Sequence, residues 1–337
     1  ENFNGNRFAS DALKKGARYA VVDEAQYAQD SACILVDDVL DTLQKLANWH
    51  RKQMRARVVS ITGSNGKTTT KELIYRILSK QYACVATPKN YNNHIGVPLT
   101  LLQLTPDHQY AVVEMGANHP GEIRFLCEIA NPDFGLITNI GKAHLEGFGS
   151  FEGVIRAKSE MYEHVCTHQG VIFYNSDNQL LSRLLADRNC TIYDYGTTHR
   201  AWCSGSIVGQ TPFLEIEADG VPLSTNLIGG YNFENLMAAI CVGKYMNIKQ
   251  SAIEEAIKGY VPDNNRSQII RKNTNEIILD AYNANPTSMN AALENFRLLE
   301  RENKVLILGD MLELGSYSRE EHKQVVKMIR QKGFQQV

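Results

Sequence analysis

A short glycine-rich segment followed by Lys and Thr is the part of this sequence most able to do chemistry. It reads Thr-Gly-Ser-Asn-Gly-Lys-Thr-Thr over residues 62–69 and follows the apolar run Val58–Ile61. Glycines let backbone N–H groups converge on phosphate oxygens, and a helix N-terminus adds positive potential. The Lys can reach β- and γ-phosphates, and the first Thr hydroxyl can join a Mg²⁺ shell. The predicted nucleotide-binding residues of this loop are Gly63, Ser64, Asn65, Gly66, Lys67, Thr68 and Thr69.

The loop is a shortened form of the general phosphate-loop motif, which has its first Gly where Ile61 stands. The alternative is a Gly-rich turn that binds nothing. The order strand, Gly-Lys-Thr and helix favours the phosphate loop, because residues 70–78 carry apolar side chains at helical spacing.

Three further apolar runs end in polar residues, where ligands bind in open α/β sheets. Glu114 ends the run 111–113 and suits a Mg²⁺ ligand across from Thr68, although a strand-end Glu facing solvent is the alternative. Thr138 and Asn139 end the next run and lead to His144, and a lone His is more often structural. Asp280 opens a polar loop after the run 277–279, which on its own could be a plain turn.

Composition limits the classes of function that remain. The 337 residues correspond to about two domains. The formal charge of -2 excludes a generic basic nucleic-acid binder, and no apolar run approaches a membrane span of about 18 residues. The seven cysteines are scattered without a Cys-x-x-Cys pair, which predicts reduced, buried thiols in a cytoplasmic protein.

The elements that must position these residues alternate between short buried strands and helices, which indicates an α/β fold with a parallel sheet. Helices are predicted near 41–54, 234–245 and 253–258, and a patch of short antiparallel strands over 192–226. The polar segment 262–275 is a predicted hinge before a third series, in which 277–279 and 305–308 are strands. Both ends look cut, so we expect a fragment of a longer chain.

These motifs and four others closely resemble the Mur ligases, ATP-dependent amide-forming enzymes of peptidoglycan assembly. The compressed loop Thr-Gly-x-Asn-Gly-Lys-Thr is complete, and the Asp-Asn-Pro-Arg segment of the diaminopimelate- or lysine-adding relatives is missing from the sequence. The resemblance spans essentially the whole chain. It is carried by residues 90–100 (NYNNHIGVPLT), 114–117 (EMGA), 280–286 (DAYNANP) and 308–315 (LGDMLELG).

The resemblance implies a three-domain architecture with a central parallel-sheet ATPase-like domain and a Rossmann-like third domain, the first and third incomplete. The implied units are 1–54, the remainder of a UDP-sugar-binding domain, 55–270, the ATP-binding domain, and 271–337, part of the ligase domain. The implied reaction uses ATP and two Mg²⁺ ions to join D-alanyl-D-alanine to UDP-MurNAc-tripeptide through an acyl phosphate. It also implies a monomer in the cytoplasm, without nucleic-acid partners.

Site residues follow from the same resemblance. Thr68 and Glu114 would hold one metal ion, and His144 and a carbamylated Lys158 would help hold the second. From the residues alone, Lys158 is an exposed helix lysine. The residues implied for catalysis are Lys67, His144, Lys158 and Arg266.

Nucleotide and substrate contacts are implied as well. Arg266 would reach the γ-phosphate, with Asn265 standing where the family usually has Gly; Asn tolerates positive φ better than most residues. Asn232 also fits a helix N-cap. The further implied ATP-binding residues are Asn232, Asn235, Asp280 and Asn283, and the implied substrate residues are Asn90, Asn92 and Asn93.

Three alternatives stay open at this point. Another amide ligase of the same fold, such as a different Mur ligase or folylpolyglutamate synthase, would differ in the amine that stimulates phosphate release. A phosphate-loop kinase or nucleotide-driven switch would turn over ATP without an amine substrate. A binding scaffold that lost its chemistry is disfavoured by the coexistence of Lys67, Glu114, His144, Lys158 and Arg266.

Overall fold

The computed structural model describes residues 3–263 and 265–337; Glu1 and Asn2 of the predicted first unit, and Asn264 of the predicted hinge, lie outside them. The strands are β1 Ala20–Val22, β2 Cys33–Leu35, β3 Arg57–Thr62, β4 Cys84–Ala86, β5 Tyr110–Glu114, β6 Phe134–Ile137, β7 Val171–Asn175, β8 Thr191–Gly196, β9 Cys203–Gly209, β10 Glu215–Ala218, β11 Val221–Ser224, β12 Gln268–Lys272 and β13 Asn275–Leu279. The helices are α1 Ala9–Lys14, α2 Val39–Gln53, α3 Lys67–Leu78, α4 Gly96–Leu101, α5 Glu122–Ala130, α6 Leu145–Phe148, α7 Phe151–Thr167, α8 Gln179–Leu185, α9 Asn232–Tyr245, α10 Gln250–Lys258, α11 Pro286–Leu298 and α12 Ser318–Gln331.

One large sheet organises the molecule and confirms the predicted α/β fold. Its nine strands run in the order β11-β10-β9-β8-β7-β6-β3-β5-β4. All neighbours from β9 to β4 are parallel. Strand β3 lies between β5 and β6, so the loop that follows β3 leaves the sheet where the chain order reverses, which is where open α/β folds bind ligands.

The two faces of the sheet are covered by different helices, which is why the central strands are apolar throughout. Helices α3, α9 and α10 pack on one face, and α5 and α7 pack on the other. Val59 and Ile61 face the first layer while Val58 faces the second, as the two-residue period of a strand requires. Burial on both faces fixes β3, and with it the start of the glycine-rich loop.

The predicted antiparallel patch is only partly correct. Strand β8 continues the parallel sheet beside β7, and β9 pairs parallel with β8. Within this patch, only β10 and β11 are added to the sheet by antiparallel pairing. Alternating apolar and polar residues indicate that one face of a strand is exposed. Strands at the edge of a parallel sheet can also be exposed on one face, so the alternation does not determine strand direction.

The N-terminal segment pairs β1 with β2 in parallel, and α2 joins it to the sheet. Arg51, near the end of α2, is buried and contacts Asp133 with its Nη2 atom 2.9 Å from Oδ2. The same Asp133 oxygen accepts a hydrogen bond from the Val58 N–H at 2.7 Å. Arg51 therefore anchors the end of α2 to the interior of the large sheet.

The C-terminal segment differs from the expected strand pattern. Residues 277–279 belong to β13, which pairs antiparallel with β12, so the predicted hinge 262–275 contains a strand. The predicted strand 305–308 is reduced to one bridge between Val305 and Gln336. A strand forms only where neighbouring backbone is available to bond it, and residue pattern alone does not report that availability.

The cysteines correct another expectation. Cys166, at the end of α7, and Cys190, just before β8, form a disulfide with a Cα–Cα distance of 4.9 Å. The predicted state of seven reduced thiols is therefore wrong for this pair, whose 24-residue separation in sequence gave no sign of proximity. The other five cysteines are free, and three of them, Cys127, Cys203 and Cys241, are buried.

Within the described ranges, no helix combines the length and apolar composition needed to cross a bilayer.

Candidate active site

The glycine-rich loop joins β3 to α3 through backbone conformations that need glycine. Gly66, the residue before α3, has φ 79°, and a Cβ there would lie 2.2 Å from Asn235 Oδ1. Gly63 has φ 144°, and a Cβ there would lie 2.0 Å from Thr138 Oγ1. These positions let the loop pack closely against its neighbours directly before the N-terminus of α3, where an anion can bind.

Polar residues after β6 brace the loop. Thr138 Oγ1 donates to the Asn65 carbonyl at 2.6 Å, and Asn139 Nδ2 donates to the same oxygen at 3.1 Å. Asn139 Oδ1 accepts from the Asn65 N–H at 3.0 Å, and Ser64 Oγ donates to the Gly141 carbonyl at 3.1 Å. The strand-end residues noted in the sequence therefore hold the loop in shape.

Lys67, the first residue of α3, turns back into the loop. Its Nζ donates to the Gly63 carbonyl at 2.8 Å and to the Ser64 carbonyl at 3.3 Å. Burial lowers the pKa of Lys67 to about 8, and Arg266 adds to this effect while Glu114 opposes it. A group with these neighbours is stabilised by any anion that enters the loop.

Two buried oxygens beside the loop lack hydrogen-bond partners among the described residues: Thr68 Oγ1 and Glu114 Oε2. Glu114 is 1% exposed, and its register partner in β3 is Ile61. Its other oxygen, Oε1, accepts from Asn92 Nδ2 at 2.8 Å. The burial rules out the solvent-facing alternative for Glu114, and the pair of unsatisfied oxygens fits a hard cation such as Mg²⁺.

Lys158 lies on α7 and is only 1% exposed, which corrects the exposed-helix interpretation of the residue pattern. Burial, together with the smaller effect of the nearby charge of Lys67, lowers its pKa to about 7. Its Nζ lies 5.7 Å from the centre of the Phe148 ring. In the part of the chain that the structure describes, no carboxylate forms an ion pair with Lys158.

His144 adopts left-handed backbone geometry with φ 54° and contacts Glu313 through its Nδ1 atom. Burial lowers the pKa of His144, Glu313 opposes this shift, and Lys67 and Lys158 reinforce it. The structure therefore brings both lysines close enough to His144 to lower its pKa, and Lys67 close enough to lower that of Lys158.

The structure places the predicted asparagines of α9 beneath the loop. Asn235 Oδ1 accepts from Thr70 Oγ1 at 3.1 Å, and Asn235 Nδ2 donates to Asn232 Oδ1 at 2.9 Å. Asn232 is not the N-cap of α9, contrary to prediction, because its Nδ2 donates back to the Ile228 carbonyl at 2.8 Å and Tyr231 precedes the helix. Both asparagines are nearly fully buried.

The remaining nucleotide candidates lie around β12 and β13. The Arg266 guanidinium lies 3.9 Å from the centre of the Tyr282 ring. Asn265 has φ 58°, as expected for an Asn in place of Gly, and its carbonyl accepts from Ala281 N at 3.0 Å, beside Asp280. The exposed side chain of Asn283 bonds only to the adjacent Ala284 N–H among the described residues, so the structure does not bring it to the loop.

The predicted substrate asparagines separate into different environments. Asn92 contacts Glu114, as described above, and a Cβ at Gly116 would lie 2.7 Å from Asn92 Oδ1. Asn93 Oδ1 accepts from the backbone N–H groups of Ile95 and Gly96, so it shapes the start of α4. Asn90 is exposed. Of the three, only Asn92 contacts the buried carboxylate.

Two site contacts come from residues whose roles sequence reasoning missed. Asn285, the N-cap of α11, donates through Nδ2 to Asn65 Oδ1 at 2.7 Å. Glu313 contacts His144 across 169 residues of sequence. Both lie inside the family-like motifs 280–286 and 308–315, and that position was the only available signal.

This arrangement, a parallel sheet with a glycine-rich loop, an inward lysine and an unsatisfied buried acid, defines a phosphate-loop nucleotide-binding enzyme. A family model described as Mur ligase middle domain matches residues 61–243, and one described as Mur ligase, glutamate ligase domain matches residues 265–337. The chain belongs to the Mur ligase family.

Within this family, the chain is similar to proteins of one named activity over almost its whole length. UDP-N-acetylmuramoyl-tripeptide–D-alanyl-D-alanine ligase of Bacillus subtilis is 38% identical over 98% of this chain and 73% of its own length, and that of Escherichia coli is 34% identical over 100% and 76%. A MurF crystal structure from Acinetobacter baumannii has a TM-score of 0.88 at 31% identity, covering 98% of this chain and 74% of that one. MurF ligase from Thermotoga maritima in complex with ADP has a TM-score of 0.84 at 28% identity, covering 98% and 77%.

Proposed function

We propose that this chain catalyses the ATP-dependent addition of D-alanyl-D-alanine to UDP-N-acetylmuramoyl-tripeptide. The observation that carries the proposal is the site itself: Lys67, Thr68 and Glu114 converge around a phosphate loop, with two buried oxygens unsatisfied among the described residues. The names of the relatives at 32–38% identity supply the substrate pair. The folylpolyglutamate synthase alternative has no comparable support.

The difficulty of this reaction is electrostatic, because an anionic carboxylate must approach a polyanionic phosphate. Lys67 neutralises phosphate charge, and Arg266 reaches the γ-phosphate from the end of the central unit 55–270. The tripeptide carboxylate attacks the γ-phosphorus, ADP leaves, and the amine of the dipeptide then attacks the acyl phosphate and releases phosphate. No protein nucleophile is needed, so positioning and charge neutralisation supply the catalysis.

Thr68 and Glu114 would hold one Mg²⁺ ion, and His144 with Lys158 as its carbamate would help hold a second. Such ions would supply positive charge that offsets the repulsion between the phosphate and the carboxylate. Lys158 needs the carbamate for this role, because an ammonium repels a cation whereas a carbamate offers two oxygens. Its lowered pKa makes the neutral amine available near pH 7, which carbamylation requires.

The nucleotide lies between units in this proposal. Asn232 and Asn235 are on the adenine side, Asp280 binds ribose hydroxyls and Asn283 lies nearby, while Asn90, Asn92 and Asn93 face the reacting groups. The units remain 1–54, 55–270 and 271–337, although 270 lies within β12. A monomer in the cytoplasm, where ATP and UDP-linked precursors are found, completes the proposal.

The test measures phosphate release with ATP, Mg²⁺ and UDP-MurNAc-tripeptide, with and without D-alanyl-D-alanine. We expect release that depends on the dipeptide, and a pentapeptide product detected by mass spectrometry. Lys67→Met serves as the inactive control. Stimulation by a single amino acid in place of the dipeptide would favour a different amide ligase, and turnover without any amine would favour a kinase or a switch.

A further inference from the structure

Glu313 reaches the candidate metal residue His144 from the C-terminal segment. Its Oε2 atom contacts His144 Nδ1, and its backbone carbonyl accepts from the Glu146 N–H at 3.2 Å. A Cβ at Gly315 would lie 3.3 Å from the Glu146 side chain, so the two segments pack closely. Backbone and side chain of Glu313 are therefore both fixed on the loop that carries His144.

The contact selects one form of the imidazole. A carboxylate accepts hydrogen bonds and cannot donate them, so the neutral ring must carry its proton on Nδ1. The lone pair of Nε2 is then left for another partner. Metal-binding histidines commonly use this arrangement, in which a carboxylate orients the ring and fixes the tautomer.

The backbone geometry of His144 and Glu313 is independent evidence that their contact has a functional role. His144 has φ 54° and Glu313 has φ 60°, values that are uncommon for residues other than glycine, Asn and Asp. Such conformations persist only where the surroundings enforce them, and they cluster at functional sites. Here two of them meet side chain to side chain across the boundary between the central and C-terminal segments.

We propose that Glu313 is a positioning residue that fixes the His144 ring from the C-terminal segment and presents Nε2 to the metal–nucleotide. The metal-binding half of this inference rests on the proposed function, whereas the tautomer half depends on the protein alone. The consequence is that the second metal position is complete only while residues 308–315 are docked.

The first measurement is the tautomer of His144 in the metal-free full chain, read from two-bond ¹H–¹⁵N spectra of ¹⁵N-histidine-labelled protein and assigned with His144→Gln. We expect the Nδ1–H form in the wild type. Glu313→Gln keeps the side-chain shape, but an amide offers both a donor and an acceptor and does not select a tautomer. Glu313→Ala removes the partner and leaves a mixture of the two forms.

The second measurement is binding of Mn²⁺ with a non-hydrolysable ATP analogue, followed by electron paramagnetic resonance. We expect Glu313→Gln to weaken Mn²⁺ binding about 10-fold, as for other residues that orient a ligand. The matched control is Glu321→Gln, because Glu321 contacts Lys142 at 2.7 Å on the same boundary. The control should bind Mn²⁺ as the wild type does.

The outcomes separate the two ideas. An unchanged tautomer and unchanged Mn²⁺ binding in Glu313→Gln overturn the role of Glu313 while leaving the proposed function intact. A wild type that binds no metal–nucleotide overturns the proposed function and the metal half of the inference together. Equal weakening in Glu321→Gln would show that docking alone matters and would also overturn a specific role for Glu313.

Discussion

At the scale of single residues, the site gathers positive charge where protein groups cannot balance it. Burial lowers the pKa of Lys67, Lys158 and His144; the charge of Lys67 adds to the effect at Lys158, and both lysines add to it at His144. Glu114 is the buried acid that opposes the shift at Lys67, and one of its oxygens is satisfied by Asn92. Such a centre is unfavourable alone and becomes favourable when phosphate and carboxylate groups enter it.

Lys158→Ala tests the carbamate. We expect ligase activity to fall about 100-fold, at the upper end of effects seen for groups that orient a metal, and to recover partly when acetate or formate is added. Activity is measured as dipeptide-dependent phosphate release. The carbamate itself should appear in ¹³C spectra recorded with labelled bicarbonate and should decline as the pH falls through about 7, where the buried amine becomes protonated.

The matched control is Lys71→Ala. Lys71 is also a fully buried lysine, but its Nζ donates to the Thr87 carbonyl at 2.7 Å and is thus satisfied. Its loss should lower stability without rescue by small carboxylates. Equal rescue of both variants, or no rescue of Lys158→Ala, would contradict the carbamate.

A second residue-scale prediction concerns acid stability. Burial lowers the pKa of His164 to about 4, and the stacked ring of His168, 4.2 Å away, contributes. The folded state therefore binds a proton less readily than the unfolded state, so stability should decrease as the pH falls from about 6.5 to 4. His164→Gln should flatten this part of a plot of Tm against pH.

His199→Gln, at an exposed position, is the comparison for His164→Gln. It should leave the slope of Tm against pH as it is in the wild type. A wild-type slope in His164→Gln would assign the acid sensitivity to other groups.

At the scale of elements, the loop and α3 depend on a glycine that is both strained and crowded. Gly66→Ala would place a Cβ 2.2 Å from Asn235 Oδ1, so the loop or α9 must move. We expect nucleotide affinity, measured by calorimetry with ADP, to fall at least about 10-fold, since displacement of catalytic geometry by about 1 Å costs more than that.

Gly121→Ala is a closely matched control. Gly121 also precedes a helix and has φ 85°, but nothing lies within 4 Å of its added Cβ. That variant should cost about 1–2 kcal/mol of stability from backbone strain alone and leave ADP affinity unchanged. Similar affinity losses in both variants would mean that φ, and not crowding against Asn235, controls the loop.

The elements were predictable where local pattern determines them. Strand β3, the loop and α3 follow from an apolar run, glycines and helical spacing, all local properties. The run 305–308 has the same apolar character, yet it forms only one bridge because pairing depends on distant backbone. Likewise, the burial of Lys158 depends on how α7 packs, and only the family resemblance indicated it.

Contacts between distant segments cannot be predicted from any local sequence pattern. Asn65 with Asn285 and His144 with Glu313 join residues that are 220 and 169 positions apart. Their motifs were visible in the sequence, but a motif names residue types and not partners. Asn283 belongs to the motif 280–286 but lies away from the glycine-rich loop, so membership of a motif does not by itself predict a contact with the site.

At the scale of the whole molecule, Arg51 links the N-terminal segment to the sheet. It contacts Asp133 and donates through Nε to the Ala130 carbonyl at 3.1 Å. Arg51→Met should reduce the free energy of unfolding by about 3 kcal/mol, the low end for breaking a buried pair, since Asp133 is partly exposed. Urea denaturation measures the change.

Lys45→Met, on the same helix, provides the contrast. Lys45 pairs with Asp41 at 2.7 Å, but both side chains are largely exposed. The change should be too small to resolve by urea denaturation, as for other surface pairs. A loss in Lys45→Met equal to that in Arg51→Met would show that α2 as a whole, and not the buried arginine, supports the connection.

The way Lys67 bonds to its own loop has a thermodynamic consequence. Its ammonium already donates to the carbonyls of Gly63 and Ser64, and Asn65 is held by Thr138 and Asn139. A phosphate that binds therefore replaces the carbonyl partners of the Lys67 ammonium, and the loop does not have to become ordered on binding. Little conformational entropy is lost in that exchange, so the heat released by new ionic hydrogen bonds should dominate nucleotide association.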